Sequence, residues 1–496
     1  MNLSKSKYCD GITCNKKLWL KTYKPDVESD VNNDSILETG REVGALARGL
    51  FGEYYNIDYN NDLNIMVNDT KKAIDDGYNI ITEASFLYED NFCSIDILKI
   101  NNNEVEIYEV KSSTSVEEIY LDDISYQVYV LSNLGYIIKK ASIVIINNKY
   151  ERYGELELNK LFKIEDITDI ALSKQEEVKL NIDNLNEYMK HLDEPDKCLG
   201  MHCVKPYDCP FFKYCSRDLP EYNVFKIRGM TNSSKFKYYG LGIYSYEGLL
   251  KEDIKDKYKQ QIEFSLYDKN TYIDKDKIKD FINTLYYPMY FLDFETFQQA
   301  IPRYDGIRPY MQVPFQYSLH YLESEDSSLE HREFLAEADI DPRRALAESL
   351  VRDIPLNSCV IAYNMKFEKM VIKELAYKYS DLSEHLMNIH DNMYDLMIPF
   401  KDRHYYTKDM EGSFSIKYVL PALFPNDPSL DYHNLDLIHN GKEAMSSYSQ
   451  LGTKSLEEQE VIRYNLLKYC CLDTYAMVKI YYKLKDIVEE KYRYSC

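Results

Sequence analysis

The sequence predicts an α/β protein of two or three domains, and three observations carry that expectation. The first is length, because 496 residues are too many for one hydrophobic core. The second is a pair of apolar strand patterns joined by an Asn-rich turn, CSIDILKINNNEVEIYEVKSS, set in a region that mixes helix and strand. The third is a strand-then-helix alternation that opens at YYPMYFLDFETF and runs to the end.

Apolar residues make up 45% of the chain, enough for a sizeable core. A formal charge of -22 argues against a protein that coats nucleic acid without specificity, because neutralising phosphates needs a positive surface. It leaves room for an enzyme with a local basic groove. No stretch approaches the roughly 18 uninterrupted apolar residues of a membrane span, and MNLSKSKYCDGITC lacks the apolar run of a secretory signal. The expected location is the cytoplasm, with no membrane partner. Eleven cysteines in such a chain read as ligands or core residues rather than disulfides. The 48 tyrosines read as compositional bias.

Three regions follow in order. Residues 1–218 mix helix and strand and close on CLGMHCVKPYDCPFFKYC; 219–284 are charged and Tyr-rich, a helical connector; 285–496 hold the alternating strands and helices. In the connector, YYGLGIYSYEGLL reads as a helix-turn-helix packing unit.

The hairpin in the first region carries charges on apolar faces. Strand alternation puts Val105 and Ile107 on one face with Glu109 and Lys111, and Leu98 and Ile100 on one with Asp96. A buried carboxylate needs a partner or a metal. Three readings stand: a lysine bridged to two acids, fraying strand ends, or two hard oxygen ligands for magnesium or manganese with a lysine beside the attacking water.

Strand-Asp, hairpin, then Glu-x-Lys resembles the RecB-like nucleases of the PD-(D/E)xK superfamily, including the CRISPR-associated exonucleases that carry an iron-sulfur cluster. The resemblance implies a PD-(D/E)xK nuclease fold, with Asp96 and Glu109 as metal ligands and Lys111 as a catalytic residue. It also implies a role for Gln127 on the next helix and suggests Tyr129 beside it. The family often has a histidine on an early helix; here GREVGALA has Gly44 at that place, leaving Glu42 or Glu83 as substitutes.

Cys198, Cys203, Cys209 and Cys215 are separated by four, five and five residues. Structural zinc sites favour tighter knuckles, whereas iron-sulfur clusters accept wider spacing. The same resemblance selects Cys14, Cys203, Cys209 and Cys215 for a 4Fe-4S cluster that clips the two ends of the domain together, with zinc as the alternative metal. Cys9 and Cys198 are then spare, and Cys470 and Cys471 read as core residues of a helix.

In YFLDFETF, alternation places Asp293 and Glu295 on one face, where two close ionised acids repel unless a cation or a proton intervenes. Farther on, SCVIAYNMKFEKMVIKELA reads as a strand, a turn at Asn364 and a helix with Glu368 in its first turn. Tyr469 and Asp473 lie four apart on a late helix and share a face. This order of motifs resembles the DEDD exonucleases of the DnaQ-like, ribonuclease-H-like fold, whose tyrosine variant uses the phenol to orient the attacking water. The resemblance implies Asp293, Glu295, Glu368 and Asp473 as ligands of Mg2+ or Mn2+, and Tyr469 as catalytic. Glu368 departs from the usual aspartate, with Asp395 as a fallback ligand; His320, His404 and His433 are left unassigned.

The combination, including LSKSKYCDGITCNKKLWL and IPRYDGIRPYMQVPFQYSLH, resembles a bacterial family of uncharacterised proteins that pairs the two domain types. The expected function is metal-dependent phosphodiester hydrolysis on nucleic acid, DNA ahead of RNA, in repair, recombination or defence. An RNA 3′-5′ exonuclease and a binding module with one or both sites inactive are the alternatives. The sequence identifies no protein partner.

Overall fold

The computed structural model describes residues 3–29 and 34–489. The outermost residues of the first and third sequence regions, 1–2 and 490–496, lie outside that range. The chain is mixed α/β and divides into two compact units, Met1–Leu219 with Gln299–Met311, and Pro220–Gln298 with Gln312–Cys496. Among the described residues no helix is long and apolar enough to cross a membrane.

The first unit is built on a seven-stranded sheet. Its elements in chain order are β1 (Leu3–Ser4), α1 (Lys5–Thr13), α2 (Asn15–Tyr23), α3 (Asp34–Ala47), β2 (Tyr55–Asn56), α4 (Leu63–Asp75), β3 (Ile80–Tyr88), β4 (Asn91–Asn101), β5 (Glu104–Val110), α5 (Glu118–Asn133), β6 (Ile137–Ile146), β7 (Phe162–Asp166) and α6 (Gln175–Tyr188). Strands β2 to β7 lie in sequence order, and β1 pairs with β4. The hairpin β4–β5 turns at Asn102, which takes a left-handed backbone (φ 57°) that asparagine tolerates. Its pairing, Ile97 with Tyr108 and Leu98 with Ile107, brings Asp96 level with Glu109. Strand β3 covers β4 from Asn91 to Lys99 on one edge, so β1, paired to Asn91 and Phe92, must share the other edge with β5. Between β1 and β5 that edge is open, and Lys5 follows β1 directly.

The parallel step from β5 to β6 needs a crossover, which α5 supplies. Its apolar residues Ile124, Val128 and Leu131 are fully buried against the sheet.

The second unit contains β8 (Thr271–Ile273), β9 (Met289–Phe297), β10 (Val313–Leu322), β11 (Glu330–Leu335), β12 (Cys359–Ala362), β13 (Met393–Asp395) and β14 (Tyr405–Thr407). Five strands form one sheet in the order β11-β10-β9-β12-β13, and β8 pairs with β14. The β9–β10 and β10–β11 pairs are antiparallel, β9–β12 and β12–β13 parallel. The helices used below are α7 (Asn232–Gly240), α8 (Asp256–Leu266), α9 (Arg343–Asp353), α10 (Lys366–Lys378), α11 (Ser383–Asp391), α12 (Ile416–Leu423), α13 (Gly441–Ser449) and α14 (Leu456–Glu489).

Strand β9 is central, and both of its faces are covered. Leu292 and Phe294 pack with Leu346 and Leu350 of α9, Ile372 of α10 and Leu386 of α11. Met289 and Phe291 pack with Met477, Ile480 and Leu484 of α14. Each such side chain contributes about 1.5–3 kcal/mol on burial, which fixes the register that sends Asp293 and Glu295 toward α14.

The stretch from Pro220, with α7 and α8, groups with the second unit and carries its own small core of Val224, Ile227, Leu249 and Ile262. Residues 299–311 group instead with the first unit. The Tyr310 hydroxyl donates to the Ser112 carbonyl, and Arg152 donates to the carbonyls of Pro302 and Arg303.

Candidate metal centres

At the mouth between β1 and β5 the first site is a network of opposite charges. Glu109 is 2% exposed. Its Oε1 accepts from Lys111 Nζ at 2.7 Å and from Lys5 Nζ at 2.8 Å, and its Oε2 accepts from Gln127 Nε2 at 2.8 Å. Asp123, four residues before Gln127 on α5, accepts from Lys111 at 2.7 Å and from Gln127 at 3.0 Å. Asp96 Oδ2 caps the Val110 N–H at 2.7 Å. Burial opposes ionisation of Glu109, yet Lys111 and Lys5 hold its carboxyl well below the usual range. Burial and the Glu109 charge push Asp96 up to about 7, against Lys5 and Lys111.

The structure therefore brings together Asp96, Glu109, Lys111 and Gln127, and adds Lys5 and Asp123, which the sequence reading did not single out. Asp123 had a signal, its i,i+4 spacing from Gln127; Lys5 had none, since only the β1–β4 pairing delivers it. Of the two substitutes for the family histidine, Glu83 faces Asp96 and pairs with Arg48 at 3.0 Å, whereas Glu42 is exposed. Tyr129 lies apart, its ring edge-on to Tyr88. As arranged, Glu109 has both oxygens engaged, so this site fits a resident divalent ion poorly. The buried Gln127 Oε1 has no hydrogen-bond partner.

The cysteines form a second group. Cys14, between α1 and α2, lines one small cavity with Cys203, Cys209, Cys215 and the exposed Cys198. Burial pushes the Cys203 thiol up to about 11, although the local backbone hydrogen bond opposes it, and Cys209, Cys14 and Cys215 add to the rise. Cys9 is elsewhere, next to Asp123 and the two lysines of the first site. The ends of the unit are also tied without these thiols: Trp19 Nε1 donates to the His191 carbonyl at 2.8 Å and the Tyr23 hydroxyl to that of Met189 at 2.8 Å.

The third group lies where β9 meets α14. Oxygens of Asp293, Glu295 and Asp473 come within 4.8 Å of one another. Glu368, in the first turn of α10 and 3% exposed, has one carboxylate oxygen buried without a partner. Tyr432 donates to Asp473 Oδ1, and Tyr469 also hydrogen-bonds this carboxyl. Cys470 is buried against Asp293, its sulfur 3.9 Å from a carboxylate oxygen. Asp395, by contrast, spends Oδ1 on the backbone N–H groups of Asn364 and Met397, at 2.9 and 3.0 Å, so it shapes the turn after β12.

Burial raises all four acids of this group, and repulsion from the others adds to it for Asp293 and Glu295. Asp293 is driven far above the carboxylate range by burial and by Asp473, Glu295 and Glu368. Glu295 is pushed up to about 8 by burial and Asp473, against Lys417. Glu368 rises to about 8 by burial, with Asp395 adding. Asp473 reaches only about 6, because hydrogen bonds from Tyr432 and Tyr469 and the charge of Lys417 counter its burial. Buried acids this close must hold protons or bind a cation. Oxygen donors with a spare lone pair suit a hard divalent ion.

Lys417 of α12 and Tyr432 also line a cavity of about 860 Å³, with Phe424, Leu430, His433 and Asn440. Its size falls within the range of small-ligand pockets. His433 is on its wall, and His320 and His404 are not. Of the two cysteines read as core, only Cys470 is buried; Cys471 is half-buried because it lies on the other flank of α14.

The family described as "Domain of unknown function (DUF2779)" matches residues 290–415, the stretch that holds Asp293, Glu295 and Glu368. The chain is also similar to "Uncharacterized protein UU173" of Ureaplasma parvum serovar 3, at 25% identity over 261 residues. That match takes in 48% of this chain and 37% of the relative, so the chain spans well under half of that protein's length.

Proposed function

We propose that the protein is a metal-dependent nuclease that hydrolyses phosphodiester bonds at the Asp293–Glu295–Glu368–Asp473 group. The single observation behind this reading is the convergence of three carboxylates within 4.8 Å beside a fourth whose oxygen has no partner. When bound there, Mg2+ or Mn2+ would supply the Lewis acidity for phosphodiester hydrolysis. The four acids would hold the cations. Tyr432 and Tyr469 fix the Asp473 carboxylate in place, and Lys417 offers a positive charge to a phosphate entering from the 860 Å³ cavity. The order of the acids along the chain supports a DnaQ-like 3′-5′ exonuclease, with DNA ahead of RNA as substrate.

For the first site the reading is different. A RecB-like, PD-(D/E)xK ancestry accounts for Asp96, Glu109, Lys111 and Gln127. The engagement of both Glu109 oxygens by Lys5, Lys111 and Gln127 favours a site that binds nucleic acid without cutting it. For the cysteine cavity we favour an iron-sulfur cluster held by Cys14, Cys203, Cys209 and Cys215, with zinc as the alternative metal, supported by their common lining and by a spacing wider than zinc knuckles.

The test is a degradation assay on matched, end-labelled DNA and RNA strands with Mn2+. Wild type should release nucleotides from the 3′ end of DNA. Asp293→Asn should lose at least about 100-fold in rate, in line with removal of an electrostatic catalytic group, and Lys111→Ala should retain most of it. Equal rates in wild type and Asp293→Asn would sink the assignment, and loss in Lys111→Ala alone would move hydrolysis to the first site.

A further inference from the structure

Cys471 stands two residues before Asp473 on α14 but lies with β10 and β11 rather than with the acids. On those strands His320 and His331 are paired directly, so their side chains leave the same face of the sheet as neighbours, with ring centres 4.4 Å apart. One nitrogen of each ring and the Cys471 sulfur lie within 4.8 Å of one another. We propose that His320, His331 and Cys471 form a binding site for a zinc-like divalent cation, distinct from the oxygen-only group around Asp293.

The donor set selects the ion. Two imidazoles and a thiol match the N and S ligands of zinc at bonds of about 2.0–2.3 Å, whereas Mg2+ and Mn2+ prefer carboxylate oxygen. Water can complete the tetrahedron, while Glu333, two residues after His331 on the same face, lies 4.0 Å from His331 Nε2 and so stands with Ser318 on the orienting side of that ring. The rings are also oriented from behind. Thr474 Oγ1 lies 2.7 Å from His320 Nδ1, Ser318 Oγ lies 2.9 Å from His331 Nε2, and the two hydroxyls are 2.7 Å apart. Hydrogen bonds of this kind, one per ring, set which imidazole nitrogen is free to bind a metal. His331 and Cys471 are half-buried, so an ion can enter from solvent.

The ion would tie three elements together. Strand β11 is the edge of its sheet, and an edge held only by its ladder is open to unwanted pairing. A cation shared by β10, β11 and α14 fastens that edge to the helix that carries Tyr469 and Asp473.

The test uses the full-length protein, stripped of metal and titrated with Zn2+ by calorimetry and with Co2+ as the spectroscopic probe. Wild type is compared with His331→Ala and Cys471→Ser. Each variant should bind one equivalent fewer, and Cys471→Ser should lose the matching thiolate-to-cobalt absorption. Cys14→Ser should keep it, which separates this site from the cysteine cavity. Thr474→Val should weaken Zn2+ by about tenfold, as loss of an orienting hydrogen bond does. His331 is partly exposed, so His331→Ala carries the test even if Cys471→Ser fails to fold. Stoichiometry in His331→Ala equal to wild type would overturn the proposal.

Discussion

At the scale of single residues, Tyr432 shows how a neutral group sets the behaviour of a charged one. Its hydroxyl donates to Asp473, and that bond is one of the forces that keep Asp473 near 6 while Glu295 and Glu368 rise to about 8. Asp473 is thus the acid most ready to lose its proton near neutrality. Removing the hydroxyl with Tyr432→Phe should raise the Asp473 carboxyl and weaken Mn2+ binding by about tenfold, the scale of a lost supporting hydrogen bond. A titration of activity against Mn2+ checks this, since the maximal rate at saturating metal should change far less than the half-saturating concentration.

At the scale of elements, β9 concentrates the cost of the acid group. Its odd residues pack toward α14, and the strand carries Asp293 and Glu295 into that interface. An acid whose folded value is raised binds more protons folded than unfolded, so its contribution to stability is present at low pH and is lost as pH rises. For Glu295 and Glu368 the window runs from about 4.5 to about 8. Thermal unfolding with a chelator present should therefore show Tm falling across that window. Added Mn2+ should restore it, with the largest gain at the alkaline end. A flat Tm profile in the chelator would contradict the burial described for these groups.

The same scale shows what could be read in advance. The period of two in YFLDFETF and the i,i+4 spacing of Tyr469 and Asp473 are local, so the faces of β9 and α14 were legible before any fold was known. The turn at Asn364 and the placing of Glu368 were legible for the same reason. Lys5 was not, because its position depends on a two-residue strand pairing with residues almost ninety positions away. Cys471 read as core with Cys470 because both lie in a helix, whereas β10 and β11 leave that flank of α14 lined by imidazoles.

At the scale of the whole molecule, two compact units hold separate groups of candidate ligands. The cysteine cavity belongs to the first and the acid group to the second, which predicts that they can be uncoupled. Anaerobically purified protein should hold about four irons per chain if the thiols take a 4Fe-4S cluster. Cys209→Ser should lose them and lower the Tm of the first unit, while Mn2+-dependent hydrolysis at Asp293 persists. Loss of both together in that variant would argue for one cooperative body. The grouping of 299–311 with the first unit could not be read from the sequence, because a loop between β9 and β10 carries no local mark of what it packs against.

That grouping has a consequence for biogenesis. A ribosome delivers the chain from its beginning at about 5–20 residues per second, and the first unit lacks its last piece until Met311 has left the exit tunnel. By then β9 is already made. Synthesis of the second unit must therefore begin while the first is still unfinished, and a nascent chain halted before 299 should be more open to proteases than one halted beyond 311.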